Sequence, residues 1–178
     1  MTTSSTPRIA PVTPGTRPEL AALETRIIGQ RGGISLLYQV LLNSPSLAEG
    51  WEAMLTAVRN RSAVPPDLRE MVILRVATLN RAQYEFEAHV PHALQAGVPP
   101  ALVDQLRHDA MPGGQEIGGV KLAVLELTDA MTRDMAVPDA LFEQLRAYFD
   151  AKALVDLIAT VAAYNMVSRF LTALRIGH

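Results

Sequence analysis

Apolar residues recur at helical spacing along most of the chain. In "SPSLAEGWEAMLTAVRNRS" the large apolar side chains form one stripe of a helix: Leu47, Trp51, Met54, Leu55 and Val58. The run in "VPPDLREMVILRVATLN" is too continuous for periodicity to distinguish a buried strand from a helix. The start signal at Pro65-Pro66-Asp67, followed by about fourteen positions without a breaker, predicts a helix buried on nearly all sides.

The next segment, "NRAQYEFEAHVPHALQAGV", predicts another helix, which follows a tight break near Asn80 and ends at Gly97. Pro91 lies inside this helix and must remove one backbone hydrogen bond. Helical patterns continue to the C-terminus, whereas residues 1–17 are rich in Ser, Thr and Pro and lack helical spacing. We therefore predict an all-α protein, with an extended N-terminal arm and a compact helical bundle as a single domain over 18–178.

The composition supports a helical fold. Hydrophobic residues make up 49% of the 178 positions but aromatic ones only 5%, so the apolar surplus is mainly Ala, Leu and Val. A small helical protein with so many apolar residues often buries part of its surface between subunits, which predicts a homo-oligomer.

The net charge of −2 gives no electrostatic reason to expect nucleic-acid binding. The sequence has no window of 18 or more uncharged apolar residues, so no membrane span is expected. The proline-rich N-terminus lacks the apolar core of a secretory signal, and a cytoplasmic location is expected.

Titratable side chains cluster on the helix predicted after Asn80. Glu85, His89 and His92 fall on one narrow stripe of it. The short connection makes this helix an antiparallel neighbour of the preceding one, on which Glu70 lies. Because Glu70 and His89 are at similar distances from the turn, we expect both to reach one pocket.

This set of side chains suits proton transfer. His89 can give or take a proton near neutral pH, and Glu85 one turn away could orient its ring. Glu70 in apolar surroundings could act as a second acid or base. Arg75 must find a carboxylate or extend to solvent, and an arginine near the site would hold a substrate carboxylate. An ordinary solvated Glu–His pair is the simpler interpretation, and no H-E-x-x-H pattern supports a metal site.

The segment "EFEAHVPHALQAGV" resembles the core signature of the carboxymuconolactone decarboxylase family, within the alkylhydroperoxidase D-like (AhpD-like) superfamily. The segment "AAYNMVSRFLTALRI" is similar to the last helix of family members. With "REMVILRVATLN" included, the resemblance covers roughly residues 50–175. It implies the AhpD-like helical fold, and trimers or hexamers of helical protomers.

The peroxidase branch of that superfamily has a Glu, two cysteines and a His at a fixed spacing. At this spacing the chain has Glu70, Ala82, Glu85 and His89, so the Glu and His positions match and both cysteine positions do not. The whole chain contains no cysteine. Reduction of hydroperoxides by a cysteine pair is therefore excluded for this chain.

Similarity to the decarboxylase branch implies a cofactor-free lyase that acts on a small carboxylated lactone or β-keto-acid-like substrate. Loss of CO₂ leaves an enolate, which needs electrostatic stabilisation and then a proton. By this resemblance His89 donates the proton, Glu85 orients it and Glu70 is the second acid or base. The candidate substrate-binding residues are Arg75, Tyr84, His92 and Arg169.

Two other functions fit the same residues. A non-catalytic oligomeric member could bind a small acidic ligand in this pocket. An isomerase or dehydratase could use the same acid and base groups without releasing CO₂. The sequence leaves all three open.

Overall fold

The computed structural model describes residues 6–113 and 117–177, and within those ranges it contains nine α-helices and no strand. The predicted all-α class is therefore confirmed. The helices are α1 Ala21–Arg31, α2 Leu36–Leu41, α3 Pro45–Asn60, α4 Pro66–Leu79, α5 Gln83–Gln95, α6 Pro100–Leu106, α7 Gly119–Asp129, α8 Asp139–Arg146 and α9 Ala151–Leu174.

Contacts group the chain into two compact units, the first of which comprises Met1–Arg61 and Leu171–His178. Its core is formed by apolar side chains that are almost fully buried: Leu20, Ile27, Leu41, Leu42, Ala48 and Leu55. Helix α1 ends at Gly32, whose φ of 76° is in the left-handed region that glycine adopts readily. The single domain predicted over 18–178 stays a prediction.

The described part of the N-terminal arm packs on this first unit. The backbone N–H of Val12 donates to the carbonyl of Gln39 at 2.9 Å, and the Val12 side chain is buried. The backbone N–H of Arg8 donates to the carbonyl of Leu174, also at 2.9 Å. The arm is thus held by backbone hydrogen bonds to its own chain. The first five residues of the predicted arm lie outside the described residues.

The second unit, Ser62–Phe170, contains α4 to α8 and most of α9. Helix α4 is buried on nearly all sides, as predicted. It begins at Pro66, and proline is tolerated there because a backbone N–H at the first helical position has no acceptor within the helix. A tight turn at Asn80 and Arg81 follows the helix. The backbone N–H of Ala82 donates to the carbonyl of Ala77 at 2.8 Å and closes this turn, so that α5 packs against α4.

Helix α9 is long and apolar enough to span a membrane if only length and composition are considered, with a mean hydropathy of 1.4. Half of that apolar window is buried inside the protein. Its polar side chains also make internal bonds: the Asn80 amide donates to Asn165 Oδ1 at 3.0 Å. Part of α9 therefore packs inside the protein.

Candidate active site

Two buried side chains from neighbouring helices, Glu70 of α4 and His89 of α5, form the centre of the candidate site. Their side chains are 3% and 10% exposed. Glu70 Oε2 lies 2.8 Å from His89 Nδ1. The turn at Asn80 returns α5 along α4, which brings the two residues to the same height, as their distances from the turn predicted.

The Glu70–His89 contact fixes the chemistry of the imidazole. When Glu70 is ionised, the Nδ1–H of His89 donates to its carboxylate, which fixes the tautomer and stabilises the imidazolium form. Nε2 is then the ring nitrogen through which a proton can be accepted or delivered. A buried carboxylate with an imidazole is the arrangement used for general acid–base catalysis.

Two aromatic rings pack around His89. The Tyr164 ring of α9 meets it edge-on, with ring centroids 5.2 Å apart and an interplanar angle of 89°. The His92 ring lies 5.6 Å away, centroid to centroid, and is itself exposed to solvent. His92 therefore connects the buried pair to the protein surface, one helical turn after His89 as the stripe predicted.

Glu85 is buried beside the pair but has a different partner from the predicted one. Its Oε2 lies 2.5 Å from Ser168 Oγ of α9, and its side chain turns toward that helix. The expectation that Glu85 orients the His89 ring is therefore wrong, because Glu70 occupies that position at Nδ1.

Burial raises the pKa of Glu85 from 4.5 to about 8, with the hydrogen bond from Ser168 acting in the opposite direction. Glu85 as a residue is only 3% exposed, and its Oε1 has no hydrogen-bond partner within the described protein. At neutral pH Glu85 is thus mainly a neutral carboxylic acid.

The hydroxyl of Ser168 suits this neutral form. Its single hydrogen has two oxygen neighbours: Glu85 Oε2 at 2.5 Å and the Tyr164 carbonyl at 2.7 Å. Ser168 is the donor in both contacts. In the neutral acid Oε2 accepts this bond as the carbonyl oxygen, and the acid proton is carried by Oε1, which has no partner within the described residues.

Arg75 does not belong to the site, contrary to the prediction. Its guanidinium is fully buried and binds both carboxylate oxygens of Asp129 at 2.6 Å. Its other three N–H groups donate to the carbonyls of His108, Asp109 and Ala110. All five donors are used within the protein, so none is left for a substrate carboxylate.

The remaining predicted binding residues lie at the edges of the site. Tyr84 is half-buried in the first turn of α5, and Arg169 is exposed on α9. Neither side chain forms a hydrogen bond or ion pair with another residue in 6–113 and 117–177. Their predicted roles in substrate binding stay predictions. Across the same residues, no group of three or more His, Cys, Asp or Glu side chains could hold a metal ion.

Comparisons with known proteins relate the segment that carries this geometry to a family. Residues 45–125, which include Glu70, Glu85 and His89, match the model of the carboxymuconolactone decarboxylase family. This segment, somewhat less than half of the chain, is therefore similar to that family. A search of curated proteins found no match.

Solved structures share the fold of this chain at low sequence identity. A peroxidase-related protein from Silicibacter sp. TM1040 is 20% identical, with a TM-score of 0.80 over 98% of this chain and 93% of that one. The debrominase Bmp8 is 15% identical, with a TM-score of 0.78 over 94% and 89%. A protein of unknown function from Agrobacterium tumefaciens, named for the antioxidant defence protein AhpD, is 22% identical, with a TM-score of 0.67 over 78% and 94%. These likenesses establish the fold alone.

Tyr164 and Ser168 were not among the predicted site residues, and both lie beyond the segment that matches the family model. Their spacing of four residues puts both side chains on one face of α9, and this was a signal that they act together. Nothing in the sequence, however, indicated that this face meets α5.

Proposed function

We propose that the protein is a cofactor-free lyase that removes CO₂ from a small carboxylated lactone or β-keto-acid-like substrate by acid–base chemistry. The observation that carries the proposal is the buried contact of 2.8 Å between Glu70 and His89. A neutral acid, Glu85, lies one helical turn before His89 on α5. The similarity of residues 45–125 to the carboxymuconolactone decarboxylase family supports the same class of reaction.

The proposed reaction has two steps. First, the bond between the carboxylate carbon and the neighbouring carbon breaks; CO₂ leaves and the electron pair passes into an enolate. Second, the imidazolium of His89 delivers a proton to the carbon that has lost CO₂. His89 then regains a proton from solvent along the exposed edge at His92. Glu70 stabilises the imidazolium throughout as an ionised partner.

Glu85 has a different role in the proposed reaction from that of Glu70. A neutral carboxyl group in apolar surroundings can donate a hydrogen bond to the developing enolate oxygen, and it adds no negative charge next to Glu70. A pair of buried carboxyl groups in different protonation states is typical of sites that need one ion and one acid.

The test is release of CO₂ from acetoacetate, oxaloacetate and α-carboxy-γ-butyrolactone, measured against the uncatalysed rate. We expect acceleration with at least one of these compounds, and its loss in His89→Gln. Thermal stabilisation by these compounds without CO₂ release or any other product would favour a non-catalytic binding protein. A rearranged or dehydrated product without CO₂ would favour an isomerase or dehydratase.

We also propose that the protein works as a homo-oligomer in the cytoplasm. Large apolar side chains remain exposed on the described chain, including Met135 at 83% and Val155 at 66%. Covering such side chains is a common reason for assembly. Light scattering coupled to size-exclusion chromatography would give the mass, and a monomer at micromolar concentration would contradict this proposal.

A further inference from the structure

Arg69 lies beside the Glu70–His89 pair. It precedes Glu70 in the chain, and its Nε is 3.7 Å from Glu70 Oε1, while the other oxygen of that carboxylate contacts His89. One carboxylate therefore separates the guanidinium from the imidazole. The Arg69 side chain is only 15% exposed.

The hydrogen-bonding capacity of Arg69 is largely unused. A separation of 3.7 Å is too long for a hydrogen bond, and within the described residues Nε is buried without a partner. No other ion pair of Arg69 occurs in that part of the chain. The contrast with Arg75 is sharp, because Arg75 is also buried but uses all five of its N–H groups.

A partly desolvated guanidinium with unused donors is costly unless it gains an acceptor. Its planar fork of N–H groups matches the two oxygens of a carboxylate. We propose that Arg69 binds the carboxylate of the substrate and holds it beside Glu70 and His89. This inference deepens the proposed function and rests on it for the identity of the anion as a substrate.

The charges support this arrangement. Arg69 and ionised Glu70 together carry no net charge, so a bound carboxylate adds one negative charge next to His89. That charge favours the imidazolium form, which is the form that can deliver a proton. When CO₂ leaves, the negative charge moves to the enolate, still close to the same two cations.

The experiment compares the binding of paraconate, a γ-lactone with one carboxylate, with that of its neutral methyl ester, by isothermal titration calorimetry. The proteins are the wild type, Arg69→Gln, Arg69→Lys and the matched control Arg146→Gln, an exposed arginine on α8. We expect Arg69→Gln to weaken binding of paraconate at least tenfold and to leave binding of the ester unchanged. The affinity of Arg69→Lys for paraconate should lie between those of the wild type and Arg69→Gln, because an ammonium keeps the positive charge but lacks the planar pair of N–H donors.

Three results would overturn the proposal. The first is tight binding of paraconate by Arg69→Gln, and the second is no binding of paraconate by the wild type at tens of millimolar. The third is an equal loss of ester and paraconate binding, which would mean that Arg69 only positions Glu70. Because binding needs no turnover, a protein that binds paraconate through Arg69 but releases no CO₂ refutes the proposed function and leaves the anion site intact.

Discussion

Glu70 and His89 are nineteen residues apart in the chain, yet Glu70 Oε2 and His89 Nδ1 lie 2.8 Å apart in the protein interior. Burying an ion without a charged partner costs several kcal/mol, so each residue stabilises the charged form of the other. The pair is therefore a unit with its own chemistry.

The first prediction concerns His89. His89→Gln should lower kcat for CO₂ release by about 10²- to 10⁴-fold, the range for a lost general acid or base, while the helical content stays unchanged. The assay is CO₂ release alongside far-ultraviolet circular dichroism. The control is His108→Gln at an exposed position, which should behave as the wild type.

The second prediction concerns the coupling of the pair. Glu70→Gln should lower kcat by roughly tenfold or more, because the imidazolium loses its ionised partner. In the double variant with His89→Gln the losses should not add, since both changes disable one unit. A double variant slowed by the product of the two single losses would mean that the residues act separately.

The third prediction is a pH dependence of stability that comes from Glu85. Its pKa is about 8 in the folded protein against 4.5 for the ordinary side chain, so the unfolded chain loses this proton first as the pH rises. The free energy of unfolding should therefore fall with increasing pH between about 4.5 and 8, by up to about 1.4 kcal/mol per pH unit from this group, and level off above.

Glu85→Gln should remove this slope and be more stable than the wild type at pH 8 by on the order of a few kcal/mol. Urea unfolding of both proteins at pH 5, 6.5 and 8 would measure the free energy of unfolding and its slope with pH. Glu87→Gln on the same helix changes a half-exposed carboxylate and should keep the wild-type slope. An unchanged slope in Glu85→Gln would mean that Glu85 ionises normally in the folded protein.

The fourth prediction tests Arg75 as a structural residue. Arg75→Met should destabilise the protein by about 3–5 kcal/mol, because it removes the buried guanidinium that binds Asp129 and three backbone carbonyls, and the exposed Arg133 replaces only part of these bonds. Arg133→Met removes another arginine that contacts Asp129 but is 41% exposed, and should cost no more than about 1 kcal/mol. Urea unfolding compares the two, and equal losses would contradict the structural role.

Local signals predicted the helices well. The proline pair before Asp67 marks the start of α4, and Gly32 marks the end of α1, because these residues act through their own backbone geometry. Glu70 and His89 were also predictable as a pair, since a short turn makes two helices antiparallel and their distances from it are similar.

The partners of Glu85 and Arg75 were not predictable in this way. Ser168 is 83 residues from Glu85, and Asp129 is 54 residues from Arg75. A spacing of four residues allows Glu85 and His89 to touch, but the rotamer of Glu85 turns it toward α9. Which acceptor a buried arginine finds likewise depends on the helices that pack around it.

The sequence by itself determined the helical class, the ends of the helices, the absence of thiol chemistry and the closeness of Glu70 to His89, because each depends on residue type or on one short turn. Only the tertiary structure decided that Glu85 is a neutral acid, that Arg75 is structural and that Arg69 lies beside the pair. These properties depend on burial and on side chains from distant helices, and both arise only when the chain packs.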